Sequence, residues 1–415
     1  MENNIFTLSV EQSKAIALRL QEKIMEGLRE DKKEIACFPT YINPGKDFEG
    51  KVLALDWGGT NFRASIVEFK KGEKPLILES LKQPLSCKET AGFRQEDLSN
   101  AMTGLIVQLK QLDETVTHIG YCFSYPAEST LNGDAILDRW TKEIDIPDMP
   151  KKLVGDPLLA YLNNQEGMKN QFKVIKVVND TIACLFAGLA QPGYDSYIGL
   201  IVGTGTNMAA LIHRNQIEKL NRDYTGGDLI PINLESGNLK PQYSEKEYLT
   251  DVDEQVDKHS NDPGRQLFEK GMSGGYIGSV FRHAFPNIEI EPNFDGEKLN
   301  YMINFPAIYK DEYVATAKQI FTRSAQLVAA SLAGLTLVLT AYENKDNYKT
   351  SIRNICLAAD GSLFWSKDKN GKDYHVLVRE HLETLLQSFG LGHIHFHFNN
   401  LDEANLVGSA IAALS

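Results

Sequence analysis

Cysteine is scarce and scattered in this chain of 415 residues. Cys37, Cys87, Cys122, Cys184 and Cys356 make an odd set of five with no close spacing, which excludes a disulfide framework and a zinc site and fits a reducing compartment. Positive charge is in deficit too. The net charge is -12, so a nonspecific grip on nucleic acid or an anionic membrane is excluded as a function. Any phosphate site must be built locally from backbone amides and a few cations. The Met-Glu-Asn-Asn opening lacks the basic and apolar pattern of a secretory signal. The most apolar window, Leu327 to Tyr342, is broken by Ser331, Gly334, Thr336 and Thr340 and is short for a bilayer span, so it reads as a core helix. No low-complexity segment is present. The expected location is the cytoplasm.

What is present is a mixture of helical and strand periods, hence an α/β class, at a length that suits two or three domains. Ser9 with Gln12 forms a capping box ahead of a helix that carries Ala15, Leu18 and Met25 and ends near Gly27. Val52 to Trp57 is a strand. Gly58, Gly59, Thr60 and Asn61 turn it, and Phe62 to Phe69 returns. The same unit recurs: Tyr197 to Val202, then Gly203-Thr204-Gly205-Thr206-Asn207, then Met208 to His213. Asn61 and Asn207 hold equivalent places 146 positions apart, about one domain length, so two domains of related architecture are expected. Further strands are expected at Lys173 to Val178 and Ile352 to Ala359, with helices at Thr181 to Leu189 and from Asp402 to the C-terminus. The polar stretch from Gln242 to Arg265 reads as a surface excursion.

The glycine turns carry the first chemical signal. Glycine lets the backbone approach a phosphate, and successive amides form an anion nest. Asp56 at the strand end suits Mg²⁺ through water, and Arg63 adds a cation. The turn is not a Walker A loop, because no Gly-Lys-Ser/Thr closes it. It is not a dinucleotide fingerprint either, because a strand and not a helix follows. Asn179-Asp180-Thr181 stands at a strand-to-helix junction. Asp180 reads there as a helix cap, or as a carboxylate that takes a proton from a hydroxyl nucleophile. Ser124-Tyr125-Pro126, Trp140-Thr141-Lys142, Asn207, Asn233, Glu235 and Glu269 supply the hydroxyls, amides, carboxylates and cation that a sugar ring requires. His393, His395 and His397 alternate, and read as one polar strand face and not a metal site.

Together these blocks resemble the hexokinase family of the actin-like sugar kinases. The matching segments are Leu53-Ala-Leu-Asp-Trp-Gly-Gly-Thr-Asn-Phe-Arg63, Phe123-Ser-Tyr-Pro126, Arg139-Trp-Thr-Lys142, Val178-Asn-Asp-Thr181, Ile198-Gly-Leu-Ile-Val-Gly-Thr-Gly-Thr-Asn207, Phe268-Glu-Lys270 with Ser273-Gly274, and Asp360-Gly-Ser362. They follow the family's order from about residue 50 to 365. The resemblance implies two RNase H-like (actin-like ATPase) domains with a cleft between them. The small domain would take 50–180 plus 399–415, and the large domain 1–49 plus 181–398. It implies transfer of a phosphoryl group from Mg-ATP to the 6-hydroxyl of glucose or a related hexose. Asp180 would be the base, with Lys142 beside the sugar and the phosphoryl group. Ser124, Thr141, Asn179, Asn207, Glu235 and Glu269 would hold the sugar. Asp56, Gly58, Gly59, Thr60, Asn61, Arg63, Gly203, Thr204, Gly205, Asp360, Gly361 and Ser362 would face the nucleotide, with Asp56 an indirect partner of Mg²⁺. A monomer or homodimer is expected, without nucleic-acid or membrane partners.

Two departures stand out. Ser236-Gly237 replaces the family's Trp-Gly after Glu235. Asp402-Glu-Ala-Asn-Leu-Val-Gly-Ser409 replaces a Gly-Ser-Gly-Lys-Gly loop. The second leaves open a donor other than ATP, and a noncatalytic sugar sensor is the alternative from another class.

Overall fold

The computed structural model describes residues 5–45, 47–58, 61–85, 92–140, 144–241, 248–291, 293–341 and 351–415. Helix α1 (Val10–Arg29) opens with the expected box: the Ser9 hydroxyl accepts from Gln12 N at 3.2 Å, and the Gln12 side chain accepts from Ser9 N at 2.8 Å. Its core face differs from the expected one. Ile16, Leu20, Ile24 and Leu28 are buried, whereas Ala15 and Leu18 face solvent and Met25 is half-buried. An i, i+4 stripe starting one residue later buries four branched side chains together, and that gain sets the rotation.

Next come β1 (Phe38–Pro39), β2 (Gly50–Trp57), β3 (Asn61–Phe69), β4 (Leu76–Pro84), α2 (Gln95–Ile106) and β5 (His118–Phe123). The short hairpin β6 (Ala127–Ser129) and β7 (Ala135–Leu137), α3 (Gly155–Asn163), β8 (Val174–Val178) and α4 (Asp180–Leu189) complete the first half. The second half runs β9 (Ser196–Val202), β10 (Thr206–His213), β11 (Leu229–Asn233), α5 (Asp251–Lys258), α6 (Leu267–Met272), α7 (Gly274–Ala284), α8 (Gly296–Asn304) and α9 (Asp311–Ala341). It ends with β12 (Asn354–Asp360), α10 (Tyr374–Ser388), β13 (His395–Asn400) and α11 (Ala404–Ala413).

Two open sheets result. One has the order β4-β3-β2-β5-β8 and the other β1-β11-β10-β9-β12-β13. In each, two antiparallel pairings are followed by two parallel ones: β4 to β3 to β2 to β5 to β8, and β11 to β10 to β9 to β12 to β13. The two glycine hairpins occupy equivalent places in this plan, as the repeat in the sequence suggested. The central strands are buried on both faces, which is why β2 reads as a continuous apolar run. Asn399 and Asn400 still pair with β12, so the second sheet extends two residues past the expected division at 399.

The helices α4 and α11 lie between the sheets. Ile182, Ala183, Leu185 and Phe186 of α4 share a core with Leu406, Ala410 and Ile411 of α11, Val52 and Ala54 of β2, and Ala209 of β10. Their backbones almost touch, since a Cβ placed on Gly408 would come within 1.8 Å of the Ala183 carbonyl oxygen. Helix α9 is 31 residues long, longer than the window read as a core helix, and 89% of its most apolar stretch is covered by protein.

Other readings are corrected. The polar segment after residue 247 forms α5, not only a surface loop, and it turns Asp253 inward onto Arg323 of α9, with contacts of 2.7 and 2.8 Å. Arg323 is fully buried, and a buried guanidinium needs a paired carboxylate, so one acid of a polar helix is drawn in. His393 lies in the turn before β13. His395 and His397 sit on the exposed face of this edge strand, alternating with half-buried Phe396 and Phe398. Among the described residues no group of three metal-binding side chains converges. Cys37, Cys122, Cys184 and Cys356 are buried free thiols, while Cys87 lies outside the described residues.

The α4–α11 contact yields a stability prediction. Gly408→Val forces the two helices apart and is expected to cost on the order of 3 kcal/mol. Thermal unfolding measures it, and an unchanged melting temperature would show that α11 can slide without loss.

Candidate active site

The site grows from the end of β8. Asn179 caps α4, its Oδ1 accepting from Ile182 N at 2.9 Å. The cap is therefore Asn179 and not Asp180. Asp180 is the first helical residue, and its Oδ1 accepts from Thr181 N at 2.8 Å and from the Thr181 hydroxyl at 3.2 Å. Both residues are half-buried.

The second sheet reaches back to this corner. The Asn207 amide on β10 donates to Thr181 Oγ1 at 3.1 Å and to Asn233 Oδ1 at 2.7 Å, and its Oδ1 accepts from Ser236 N at 3.2 Å. Asn233 in turn donates to Glu235 Oε1 at 2.8 Å. Glu235 has left-handed backbone, φ +59°, at the turn that follows β11. One residue before Asn207, Thr206 N donates to Glu269 Oε2 at 2.8 Å. Asp180, Asn207, Glu235 and Glu269, far apart in sequence, are thus joined through Thr181, Asn233 and Thr206.

Ser124 follows β5 and donates its N–H to Trp57 O at 3.2 Å. Its neighbours Phe123 and Tyr125 pack with Trp57 and Trp140, the last with ring centroids 5.0 Å from Tyr125 and 5.7 Å from Trp57. These rings link the start of the first glycine turn to the Ser124 loop. Thr141 and Lys142, which directly follow Trp140, lie outside the described residues, as do Gly59 and Thr60.

Around the first turn, Gly58 and Asn61 flank the gap between β2 and β3. Asp56 is buried and takes Arg63 Nε at 2.9 Å on Oδ2 and Asn405 Nδ2 at 3.4 Å on Oδ1. Arg63 also pairs with Glu403, just ahead of α11. Arg63, read from sequence as a cation for phosphate, is therefore held between two carboxylates here. The second turn is closed by Gly203 N donating to Gly205 O at 2.9 Å. Its outward carbonyls, Gly203 O and Thr204 O, accept from Gly274 N at 2.7 Å and Gly275 N at 3.1 Å at the start of α7. Asp360 Oδ1 accepts from Gly361 N at 2.7 Å. Gly361 has φ +114°, and a Cβ there would lie 2.3 Å from the Val202 carbonyl, so this crossing requires glycine. Ser362 follows, exposed. Gly203, Thr204, Gly205, Asp360, Gly361 and Ser362 thus meet at one place.

The sequence reading assigned no role to Thr181, Gly275, Glu403 or Asn405. Glu403 and Asn405 lie in the segment that departs from the glycine-rich loop, and that departure was the available signal.

Burial sets the electrostatics. It raises the Asp56 carboxyl above its ordinary range, with Arg63 pulling the other way. It raises Glu235, to which the charge of Asp180 adds. It pushes Glu269 up to about 7, against the bond from Thr206, with Glu235 and Asp262 pushing further and Lys270 pulling back. A carboxylate in this setting can take a proton from an alcohol, and the backbone amides of glycine turns can hold phosphates. Hard oxygen donors suit Mg²⁺ here. Both Asp56 oxygens are already engaged, so that carboxylate fits an ion carried mainly by phosphates and reached through water.

Two family profiles, both described as Hexokinase, match residues 2–189 and residues 197–319 with 312–415. The chain is 27% identical to hexokinase-7 of Oryza sativa over 89% of its own length and 86% of that protein's. It is 32% identical to the hexokinase of Schistosoma mansoni over 67% of its length and 62% of that protein's. A solved hexokinase from Schistosoma mansoni, in complex with glucose, superposes with a TM-score of 0.76 at 23% identity, over 98% of this chain and 96% of that one.

Glu269 gives a test by pH. Its fold raises the carboxyl from 4.5 to about 7, so the folded state binds more protons than the unfolded one between those values. Stability therefore falls as pH rises through that window. Glu269→Gln keeps an acceptor for Thr206 N and removes the buried charge. It is expected to melt several degrees above the parent at pH 8, with the gap closing near pH 5. Equal shifts at both pH values would show that Glu269 is not buried as a charge.

Proposed function

The chain belongs to the hexokinase family, and we propose that it transfers the γ-phosphoryl group of Mg-ATP to the 6-hydroxyl of glucose and related hexoses. It is a sugar kinase by family; the donor, the acceptor atom and the residue roles are the proposal. The observation that carries it is Asp180. Its carboxylate stands at the strand-to-helix corner with Oδ1 bound to Thr181, and Asn207 fastens that corner to the second sheet, where Asn233 holds Glu235 of the following turn and Thr206 holds Glu269 of α6. The glucose in the solved schistosome hexokinase, a protein of the same fold, supports the choice of hexose.

Asp180 accepts the proton of the 6-hydroxyl as that oxygen attacks the γ-phosphorus. The bond from the γ-phosphorus to the bridging oxygen breaks, ADP leaves, and the proton later passes from Asp180 to solvent. Asn179, Asn207, Glu235 and Glu269, with Ser124 and Thr141, hold the remaining hydroxyls. Lys142 offsets charge near the reacting atoms. Gly58, Gly59, Thr60 and Asn61 on one side, and Gly203, Thr204, Gly205, Gly361 and Ser362 on the other, receive the phosphates and nucleoside. Magnesium, when bound with the nucleotide, would offset phosphate charge, with Asp56 as its partner through water. Such a reaction asks mainly for positioning and charge stabilisation, which preorganised turns provide.

A coupled assay with a panel of hexoses and of donors (ATP, ADP, polyphosphate) tests the reading. No phosphorylation with any pair overturns it. Asp180→Ala is expected to keep glucose binding by calorimetry and to lose roughly 10²–10⁴-fold in turnover. Near-parental turnover in that variant would remove Asp180 from the role of base.

A further inference from the structure

Lys270 is the neighbour of Glu269 on α6, yet its side chain runs into the protein and is 3% exposed. Its Nζ donates to Asp257 Oδ1 at 2.8 Å and to the Asp262 carbonyl at 2.9 Å, and lies 3.0 Å from Asp262 Oδ1. Asp257, on α5, also accepts the Gly264 N–H on both carboxylate oxygens at 3.0 Å. The ring of Tyr276 on α7 lies 6.0 Å from the ammonium. Each of the three ammonium protons has an oxygen within reach, which is the condition for burying such a charge.

Helix α6 is held on one side by Phe268 and Met272, which are buried in the core, and on the next by Lys270 in its ion triad. It is six residues long, starts after a left-handed Gln266 at φ +50°, and has no side-chain cap. So short a helix has no stability of its own. Successive side chains diverge by about 100°, so the direction of Glu269 is bracketed by Phe268, held in the core, and Lys270, held by the two carboxylates. That aim has little slack. Glu269 Oε2 must meet Thr206 N at 2.8 Å, and it sits so close over Gly205 that a Cβ there would be 2.8 Å away.

We propose that Lys270, clamped by Asp257 and Asp262, is a positioning residue for hexose recognition: the ion triad around its buried ammonium, acting with the core contacts of Phe268, sets the place of the Glu269 carboxylate. The proposal rests on the sugar-kinase reading above. It also has an electrostatic side. The charged groups facing Glu269 are Glu235 from the turn after β11, Asp262 from the loop after α5, and Lys270 on its own helix. Asp257 of α5 and Tyr276 of α7 stand behind Lys270. Arg323 of α9 is occupied by Asp253. Lys270 is the cation in this set, so its loss shifts Glu269 toward the protonated form, whereas loss of Asp262 shifts it the other way.

The test uses the full chain and three variants, Lys270→Met, Lys270→Arg and Asp262→Asn, with hexose KM, ATP KM and kcat measured from pH 5.5 to 8.5. Lys270→Met is expected to raise the hexose KM on the order of tenfold while leaving the ATP KM within about twofold. Its acid limb for hexose KM moves to higher pH, and Lys270→Arg restores most of the loss. Asp262→Asn also raises hexose KM but moves the acid limb to lower pH. Opposite pH shifts with the same direction in KM would not come from general loosening. A parental hexose KM in a folded Lys270→Met overturns the proposal. If that variant does not fold, a parental hexose KM in Asp262→Asn overturns it instead. A parent protein that phosphorylates no sugar overturns the kinase reading alone, and hexose calorimetry on parent and variants then decides the role of Lys270.

Discussion

The amide of Asn207 is the joint on which the site depends. It stands on the second sheet, yet one of its bonds reaches Thr181 at the start of α4, the helix that leaves the first sheet. Its other bonds hold Asn233 and the turn of Ser236, and through Asn233 they reach Glu235. A short amide side chain with two donors and one acceptor oxygen can serve all these partners only if the strand end, the helix start and the turn are fixed to within a few tenths of an ångström. The packing supplies that precision. Gly408 lets α11 lie almost on the backbone of α4, and the shared core of the two helices ties both sheets to the same pair of rods. Asp180 inherits its position from this arrangement.

The same corner gathers acid. Asp56, Asp180, Glu235 and Glu269 lie near one another, and burial raises the first and the last two in pKa. The protein counters each charge separately. Asp56 has Arg63, Glu235 has the Asn233 amide, and Glu269 has the Thr206 N–H with Lys270 behind it. Buried carboxylates whose charge is only partly offset are unfavourable in the empty protein, and on the proposed reading they become favourable once sugar hydroxyls donate to them. This is how a binding site stores specificity at the expense of stability.

Much of this was legible in the sequence because it rests on local signals. The glycine turns announce themselves by composition, and the two hairpins share a phase that the strand orders repeat. Asn179-Asp180-Thr181 marks a junction because cap-forming residues stand between an apolar strand run and a helical pattern, although the sequence could not say which of the first two residues caps the helix. The rest was hidden because it depends on long-range pairing. Nothing local shows that Asp253 turns inward, since its partner Arg323 is 70 residues away. Nothing local shows that Glu403 meets Arg63 across 340 residues. The core face of α1 was misread by one position, because Ala15, Leu18 and the Ile16 stripe are all apolar and only packing against α9 separates them.

The two glycine hairpins, equivalent in plan, are dressed differently, and the difference suits the proposed reaction. In the second, the carbonyls of Gly203 and Thr204 are taken by the first amides of α7. A helix start carries orphan N–H groups, and these two are satisfied by the turn, which is thereby stiffened with its carbonyls directed away from an incoming anion. In the first hairpin the neighbouring groups are ionic. Asp56, Arg63 and Glu403 form a chain of charges running to the start of α11. Fixed dipoles cost nothing to reorganise when phosphates arrive, whereas an ion chain can exchange a carboxylate for a phosphate oxygen. The second hairpin is therefore braced by fixed dipoles and the first by exchangeable ions, and the first is the one that meets, through Glu403, the segment that departs from the glycine-rich pattern of the family.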